Sequence, residues 1–288
     1  MDTVLILTDF SDSSRHAAKY ALTLAGRFGV KRLLLVNTYQ VVTPATDIPL
    51  EPDAGEDLRQ ISLRKLHAFW DTLRTIDQPS FTAELACVEG DLVEAVNEIA
   101  TSEKADLVVM GMTGKSNVIT ALMGSNSSRL LNGCDFPLLV VPNDAHIEIP
   151  ERVALATALK KSKRNMSSGP LSHFLRMFRP ILFVVNVATG EESYDSEMQK
   201  GISDLHELLD RYGAQYHYIT ATNVIDGINA FVREHRVSLI IAIHETHTGL
   251  TGIFHKSISK KLASQVAVPL LILPQKKIDS NHSDSQTH

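Results

Sequence analysis

The residues best suited to chemistry lie between Gly111 and Ser128, in the stretch GMTGKSNVITALMGSNSS. An apolar run, Leu107-Val108-Val109-Met110, precedes it, and a short helical segment leads from it to Pro137-Leu138-Leu139-Val140-Val141. A strand, a glycine loop and a helix start, in that order, form a cradle for phosphate: glycines let the backbone approach an anion closely, and free N–H groups at a helix N-terminus bind it. The loop is not a Walker A loop, which needs a glycine five residues before Gly114, where this chain has Val109. Its own spacing is Gly111, two residues, Gly114, nine residues, Gly124, then Ser125. Other candidates are weaker. Asp9, after the run Val4-Leu5-Ile6-Leu7, is a carboxylate at a strand end, with a helix cap as its plainer alternative role. Gly111 and Gly114 would also serve a plain tight turn, and Lys115 is expected at the solvent surface. His244-Glu245-Thr246-His247 and His255 offer metal-ligand types without the HExxH spacing of a zinc protease, and read as polar loop residues.

Alternating strands and helices must position these residues. Val4–Leu7 and Leu33-Leu34-Leu35-Val36 are continuous apolar runs that suit strands buried on both faces. Between them Ser11 or Asp12 caps a helix with Ala18, Ala21, Leu22 and Ala25 on one face, ending at Gly29. A loop from Tyr39 to about Asp57 contains Pro44, Pro49 and Pro52. Leu66, Phe69, Leu73 and Ile76 then mark a long helix that ends before Pro79. Phe81 to Val88 is a third strand, Gly90 turns into a helix carrying Leu92, Val93, Val96, Ile99 and Ala100, and Leu107–Met110 and Leu138–Val141 are the fourth and fifth strands. Right-handed crossovers then give a parallel sheet covered on both faces. Ligands of such sheets bind beyond the carboxyl ends of the strands, where strand order reverses. Thr8-Asp9, Val36-Asn37, Glu89-Gly90 and the glycine loop all fall at such ends.

The pattern then restarts. Val153–Thr157 repeats the first strand and Ile181–Asn186 the second, both shifted by 149 residues. Leu239–Ala242 repeats Leu107–Met110, and Pro269–Pro274 repeats Pro137–Pro142, both shifted by 132, so the second copy is about 17 residues shorter in its middle. This internal duplication divides the chain into a first domain over residues 1–142, a linker over 143–150, a second domain over 151–275 and a disordered tail over 276–288.

With 44% apolar and 21% charged residues, the composition is that of a globular protein. A net charge of −5 gives no general reason to bind nucleic acid. Two cysteines, Cys87 and Cys134, are too few for a disulfide scaffold and read as small buried side chains. Without a leader pattern or an apolar run of about 18 residues, a cytoplasmic, membrane-free protein is expected.

The glycine spacing, together with Thr8-Asp9-Phe10-Ser11 after the first strand, closely resembles the ATP-binding signature of the universal stress protein family. The duplication makes the chain resemble a tandem member, over essentially its whole length to about Pro274. The resemblance implies two doubly wound α/β domains, each with a five-stranded, mainly parallel sheet in the order 3-2-1-4-5. It also implies an adenine nucleotide as ligand, ATP or else AMP or ADP, with Mg²⁺ as an accompanying ion. On matching positions, Thr8 and Asp9 would stand at the ribose, Asp9 accepting from a hydroxyl. Val36 would offer its backbone to the adenine edge. Gly111 and Gly114 would let the loop fold around ribose and phosphates, and Gly124, Ser125, Asn126 and Ser127 would donate to phosphate oxygens.

The second copy departs from this pattern. Asp9 becomes Ala158, Gly111 becomes Ile243, Gly114 becomes Thr246 and Gly124 becomes Lys256, while Ser125 is kept as Ser257. It therefore reads as a scaffold that has lost the nucleotide. A basic cluster of Lys160, Lys161, Lys163 and Arg164 reads as a solvated face. The functional expectation is a nucleotide-binding stress-response regulator with one working site. The alternatives are a slow ATP hydrolase or phosphotransferase on that site and a nucleotide-independent partner-binding scaffold. An enzyme is the less favoured of these, because no second carboxylate in the loop is available to orient a nucleophile. The two halves are expected to pack as a pseudo-dimer through Leu138–Val141 and Leu270–Leu273, with a homodimer of whole chains as a further partner state.

Overall fold

In the computed structural model the described residues are 1–40, 54–74, 81–112, 125–157, 159, 168–190, 195–244, 261–263 and 265–274. Each apolar run forms a strand: β1 (Thr3–Leu7), β2 (Arg32–Tyr39), β3 (Thr82–Glu89), β4 (Leu107–Met112) and β5 (Leu138–Pro142) in the first half. The second half contributes β6 (Arg152–Ala156), β7 (Ile181–Ala188), β8 (Gln215–Thr220), β9 (Leu239–His244) and β10 (Leu270–Pro274). They make one sheet in the order β3-β2-β1-β4-β5-β10-β9-β6-β7-β8. Each half thus has the 3-2-1-4-5 order, with its strands parallel. The halves meet at an antiparallel joint, Leu270 opposite Val140, Leu271 opposite Leu139 and Ile272 opposite Leu138. Both last strands, which would otherwise offer unpaired apolar edges, are closed by this pairing.

Alternating side chains serve two cores. Val4, Ile6, Leu33, Leu35, Val109, Leu139 and Leu271 face one layer of helices, α1 (Asp12–Phe28), α2 (Ala54–Leu73), α5 (Ser168–Phe178) and α6 (Ser196–Leu209). Leu5, Leu7, Leu34, Val108, Val140 and Leu270 face the other, where α3 (Leu92–Ser102), α4 (Ser125–Gly133) and α7 (Val224–His235) lie. Both cores run across the β5–β10 joint. Each fully buried leucine or isoleucine contributes roughly 1.5–3 kcal/mol, so burying the seam ties the halves together.

Ser11 is the α1 cap, accepting from the Ser14 N–H at 3.2 Å, and Gly29 ends the helix at φ 63°, in the left-handed region that glycine adopts without strain. In α2, Leu66, Phe69 and Leu73 are buried as their spacing predicts, whereas Ile76 lies outside the described residues. The helix begins at Ala54, inside the expected loop, because the last proline of that loop is Pro52 and nothing after it bars a helix. Residues 143–150, whose sequence looks exposed, are only partly so: Ala145 is 4% exposed and its carbonyl accepts from His16 Nε2 of α1 at 2.8 Å. No described helix is long and apolar enough to cross a membrane.

Candidate functional site

In the first half, strand order reverses between β1 and β4, whose connections leave toward opposite faces. Above their carboxyl ends lies a cavity of about 140 Å³. Thr8, Asp9, Ser14, Val36, Asn37, Thr38, Leu92, Gly111, Asn126 and Ser127 are among its lining residues. Residues from β1, α1, β2, α3, β4 and α4 converge here. Of the predicted site residues, Thr8, Asp9, Val36, Gly111, Asn126 and Ser127 are brought together. Ser125 is the first residue of α4. Gly114 and Gly124 lie outside the described residues, as does Lys115.

The floor is rigid. The Thr8 N–H donates to the Val36 carbonyl at 2.9 Å, continuing the β1–β2 ladder one step. Asn37 Nδ2 donates to the Thr8 carbonyl at 2.8 Å, and both residues are buried. The Thr8 hydroxyl lies 3.0 Å from the Ser14 hydroxyl and accepts from the Phe10 N–H at 2.9 Å. Phe10 holds φ 67°, unusual for a bulky residue, and packs edge-on against Phe69 with ring centroids 6.0 Å apart. This turn leaves Asp9 exposed at the crevice. Its Oδ1 accepts from the Ser11 N–H at 3.0 Å and the Ser11 hydroxyl at 2.5 Å. Partial burial pushes the Asp9 carboxyl up, but hydrogen bonds from Ser11 and then Ser14 outweigh it and hold the group below the ordinary carboxylate range. Asp9 is therefore an ionised acceptor at neutral pH.

Two predicted roles look different in three dimensions. The Val36 carbonyl is already engaged by Thr8, and β2 continues to Tyr39, well past the end of β1. Alternate residues of a strand direct their backbone groups to opposite neighbours, so Thr38 is the next residue facing the side of β1. There β1 has ended, and the Thr38 backbone faces the crevice. Gly111, for its part, sits where α1 crosses the end of β4: a Cβ built there would lie 2.2 Å from the Ser13 carbonyl oxygen. Its lack of a side chain is needed for helix-to-strand packing, whatever it does for a ligand.

The α4 side completes the site. Asn126 and Ser127, in the first turn of α4, line the cavity, so the unpaired N–H groups of a helix start face it. Gly90, at φ 132°, turns β3 into α3, and its N–H donates to the Tyr39 carbonyl at 3.0 Å. Asp91 then caps α3, accepting from the Val93 N–H at 3.0 Å, and also pairs with the Arg129 guanidinium of α4. Ser14, Thr38, Leu92 and the Asp91–Arg129 pair were not singled out as site residues. The first three carry no motif, only a position; the ion pair joins residues 38 apart in sequence.

The second half keeps the brace. Asn186 Nδ2 donates to the Thr157 carbonyl at 3.0 Å, and the Thr157 N–H to the Val185 carbonyl at 3.0 Å, matching Asn37, Thr8 and Val36. At the Gly111 position stands Ile243, packed against the core that α1 and α5 share. Ala158, Thr246, Lys256, Ser257, His247 and His255 fall outside the described residues, as do Lys160, Lys161, Lys163 and Arg164. His244 is the last residue of β9.

The sequence model described as the universal stress protein family matches residues 1–142. A universal stress protein of Methanocaldococcus jannaschii is 30% identical to this chain over 139 residues, which are 48% of this chain and 80% of that one. One from Thermus aquaticus is 32% identical over 139 residues, 48% of this chain and 97% of the other. Among solved structures, a universal stress protein from Archaeoglobus fulgidus superposes with a TM-score of 0.68 at 18% identity, covering 95% of this chain and 98% of that one. A structure from Pseudomonas aeruginosa, at 13% identity and a TM-score of 0.59, covers 96% of this chain and 94% of its own. At such identities the likeness is one of fold, and it extends over both halves.

Proposed function

The chain belongs to the universal stress protein family, and we propose that its first half binds an adenine nucleotide such as ATP, as a regulator with one working site. The observation that carries this reading is the convergence of Asp9, Thr38, Gly111, Asn126 and Ser127 on one crevice at the switch point of the sheet. An ionised Asp9 accepts from ribose hydroxyls. The Thr38 backbone, next along from Val36, meets the adenine edge, and the first turn of α4, from Ser125 to Ser127, faces the phosphates.

A cavity of about 140 Å³ is smaller than the ~300–1,000 Å³ of common ligand sites. The described residues thus supply the floor, and the contribution of Gly114 and Gly124 rests on the resemblance of their spacing. Asp9 is the only carboxylate among the described lining residues. Once it holds the ribose, none of them is left to orient a nucleophile, which favours a binding role over turnover. Among the described residues no group of three His, Cys, Asp or Glu could hold a metal ion, so Mg²⁺ enters this reading as the counterion of the phosphates.

The deciding experiment is to denature the purified protein, identify released ligand by chromatography and mass spectrometry, and titrate the stripped, refolded chain with ATP. One adenine nucleotide per chain is expected. No released nucleotide together with no titratable binding would overturn the reading. Two per chain would overturn the single-site part of it. Steady turnover with added Mg²⁺ would replace the regulator with an enzyme.

A further inference from the structure

The first turn of α4 forms one side of the crevice at Asp9, so whatever fixes the direction of α4 also fixes that side. Farther along, α4 is held by uncharged contacts. Leu130 and Leu131 are buried in the core that α3 shares. Asn97 of α3 grips the far end of α4 with both ends of its amide: Nδ2 donates to the Gly133 carbonyl at 2.8 Å, and Oδ1 accepts from the Asp135 N–H at 3.0 Å. Gly133 lets the two helices close up, since a Cβ there would lie 2.7 Å from Val93 Cγ1. Asn126 stands five residues ahead of Leu131, about 7.5 Å along the helix axis. A tilt of α4 by about 10° around that anchor would carry its first turn about 1.3 Å, more than the ~0.5 Å within which a binding site must be held.

A charged contact bears on the near end. The Arg129 guanidinium pairs with Oδ2 of Asp91, whose Oδ1 accepts from the Val93 N–H at 3.0 Å. Asp91 is itself tied to the opposite side of the crevice. Gly90, just before it, donates its N–H to the Tyr39 carbonyl at 3.0 Å, and Tyr39 follows Thr38 at the end of β2. The pair therefore refers the start of α4 to the strand end that carries Thr38. The Arg129 hydrogen bond outweighs burial and holds Asp91 below the ordinary carboxylate range, so the pair is charged at neutral pH. The second half separates capping from pairing. Shifted by 132, Asp91 becomes Asn223, which caps α7 by accepting from the Asp226 N–H at 2.9 Å and donates through Nδ2 to Asp226 Oδ2 at 2.5 Å. Capping alone thus calls for no carboxylate at this position, whereas pairing with Arg129 does.

We propose that Asp91 and Arg129 are positioning residues of the nucleotide site, an ion pair that aims the first turn of α4 at the phosphates and neutralises the Asp91 carboxylate beside them. The inference rests on the adenine-nucleotide reading of the crevice, and neither side chain has to touch the ligand. It makes the pair matter for the phosphates and not for adenosine. Arg129 is exposed and Asp91 half-buried, and an ion pair so placed adds little to stability. Phosphate affinity and fold stability should therefore separate.

The test is a ligand series of adenosine, AMP and ATP, titrated calorimetrically into the unaltered chain, Arg129→Leu, Arg129→Lys and Asp91→Asn. Arg129→Leu is expected to weaken ATP about tenfold or more, while adenosine changes by less than about twofold and the urea midpoint holds. Asp91→Asn keeps a capping side chain and should weaken ATP in the same way. Arg129→Lys, which keeps the charge, should recover part of the loss. Equal losses for adenosine and ATP, or no loss for either, would overturn the proposal. Hydrogen exchange in the ligand-free chain reads the pair without a nucleotide: Arg129→Leu should speed exchange at residues 129–132 and leave 96–100 unchanged. An unaltered chain that binds no adenine nucleotide would sink the reading of the crevice. Unchanged exchange at 129–132 would instead sink the positioning role, even with that reading intact.

Discussion

Asp9 and Gly111 show how residue type and residue role can separate. Asp9 reads as a cap or a ligand, and the structure gives the capping duty to Ser11, which itself donates to Asp9 Oδ1 at the border of the crevice. Asp9→Asn should weaken ATP binding about tenfold or more, since a hydrogen bond to a charged acceptor is worth about 1.5–3 kcal/mol. Isothermal titration reads this directly, and an unchanged affinity would place the ligand elsewhere. For Gly111→Ala the new methyl would meet the Ser13 carbonyl, which is backbone and cannot swing aside. The expected loss of stability is about 1–3 kcal/mol, read as a lower urea midpoint. If binding weakens while the midpoint holds, the glycine serves the ligand and not the helix contact.

At the scale of elements, the strands buried on both faces were legible because they are unbroken apolar runs; β1, β4, β5 and β10 needed little else. β8 was not singled out. It is an edge strand with sequence QYHYIT, half exposed, and its polar alternation looks like a loop until β7 is beside it. In the crevice, strand-end positions pointed to Asp9 and Gly111, but the extension of β2 to Tyr39 was not readable, and that extension moves the open backbone from Val36 to Thr38. β8 also carries a pH dependence. The His217 ring packs between Phe183, Phe231 and His235, the two imidazole centroids 5.0 Å apart. Burial first, and then the His235 charge, lower the His217 pKa from its ordinary 6.5, with Glu234 opposing. The unfolded chain therefore binds more protons than the folded one just below that value. Stability should fall as pH drops from about 6.5 through the lowered pKa. Urea midpoints at pH 7.5 and 5.5 should differ less in His217→Phe than in the unaltered chain. An identical fall in both would remove His217 from the account.

Taken whole, the molecule is two similar halves held edge to edge with their strands running in opposite directions, so the carboxyl ends of β1 and β4 and those of β6 and β9 open on opposite sides of the sheet. No single ligand can touch both. A chain ending after residue 150 would expose the edge of β5, whose five residues are all buried in the intact molecule, and is expected to self-associate. Sedimentation velocity should show a dimer or larger species, and a stable monomer at tens of micromolar would argue that β5 needs no partner.

The covalent segment between β5 and β6 has a consequence for dilution. A short tether holds a partner at an effective concentration of about the millimolar range, so the joined edges do not separate when the protein is scarce. Two free subunits would each have to keep a self-complementary edge and a working crevice in the same sequence. Here Leu270–Ile272 need only match Leu138–Val140, so the two halves are free to differ in sequence elsewhere, as Ile243 at the position of Gly111 shows. If the first half binds a nucleotide as proposed, its occupancy would then follow nucleotide level alone, independent of how much of the protein the cell contains.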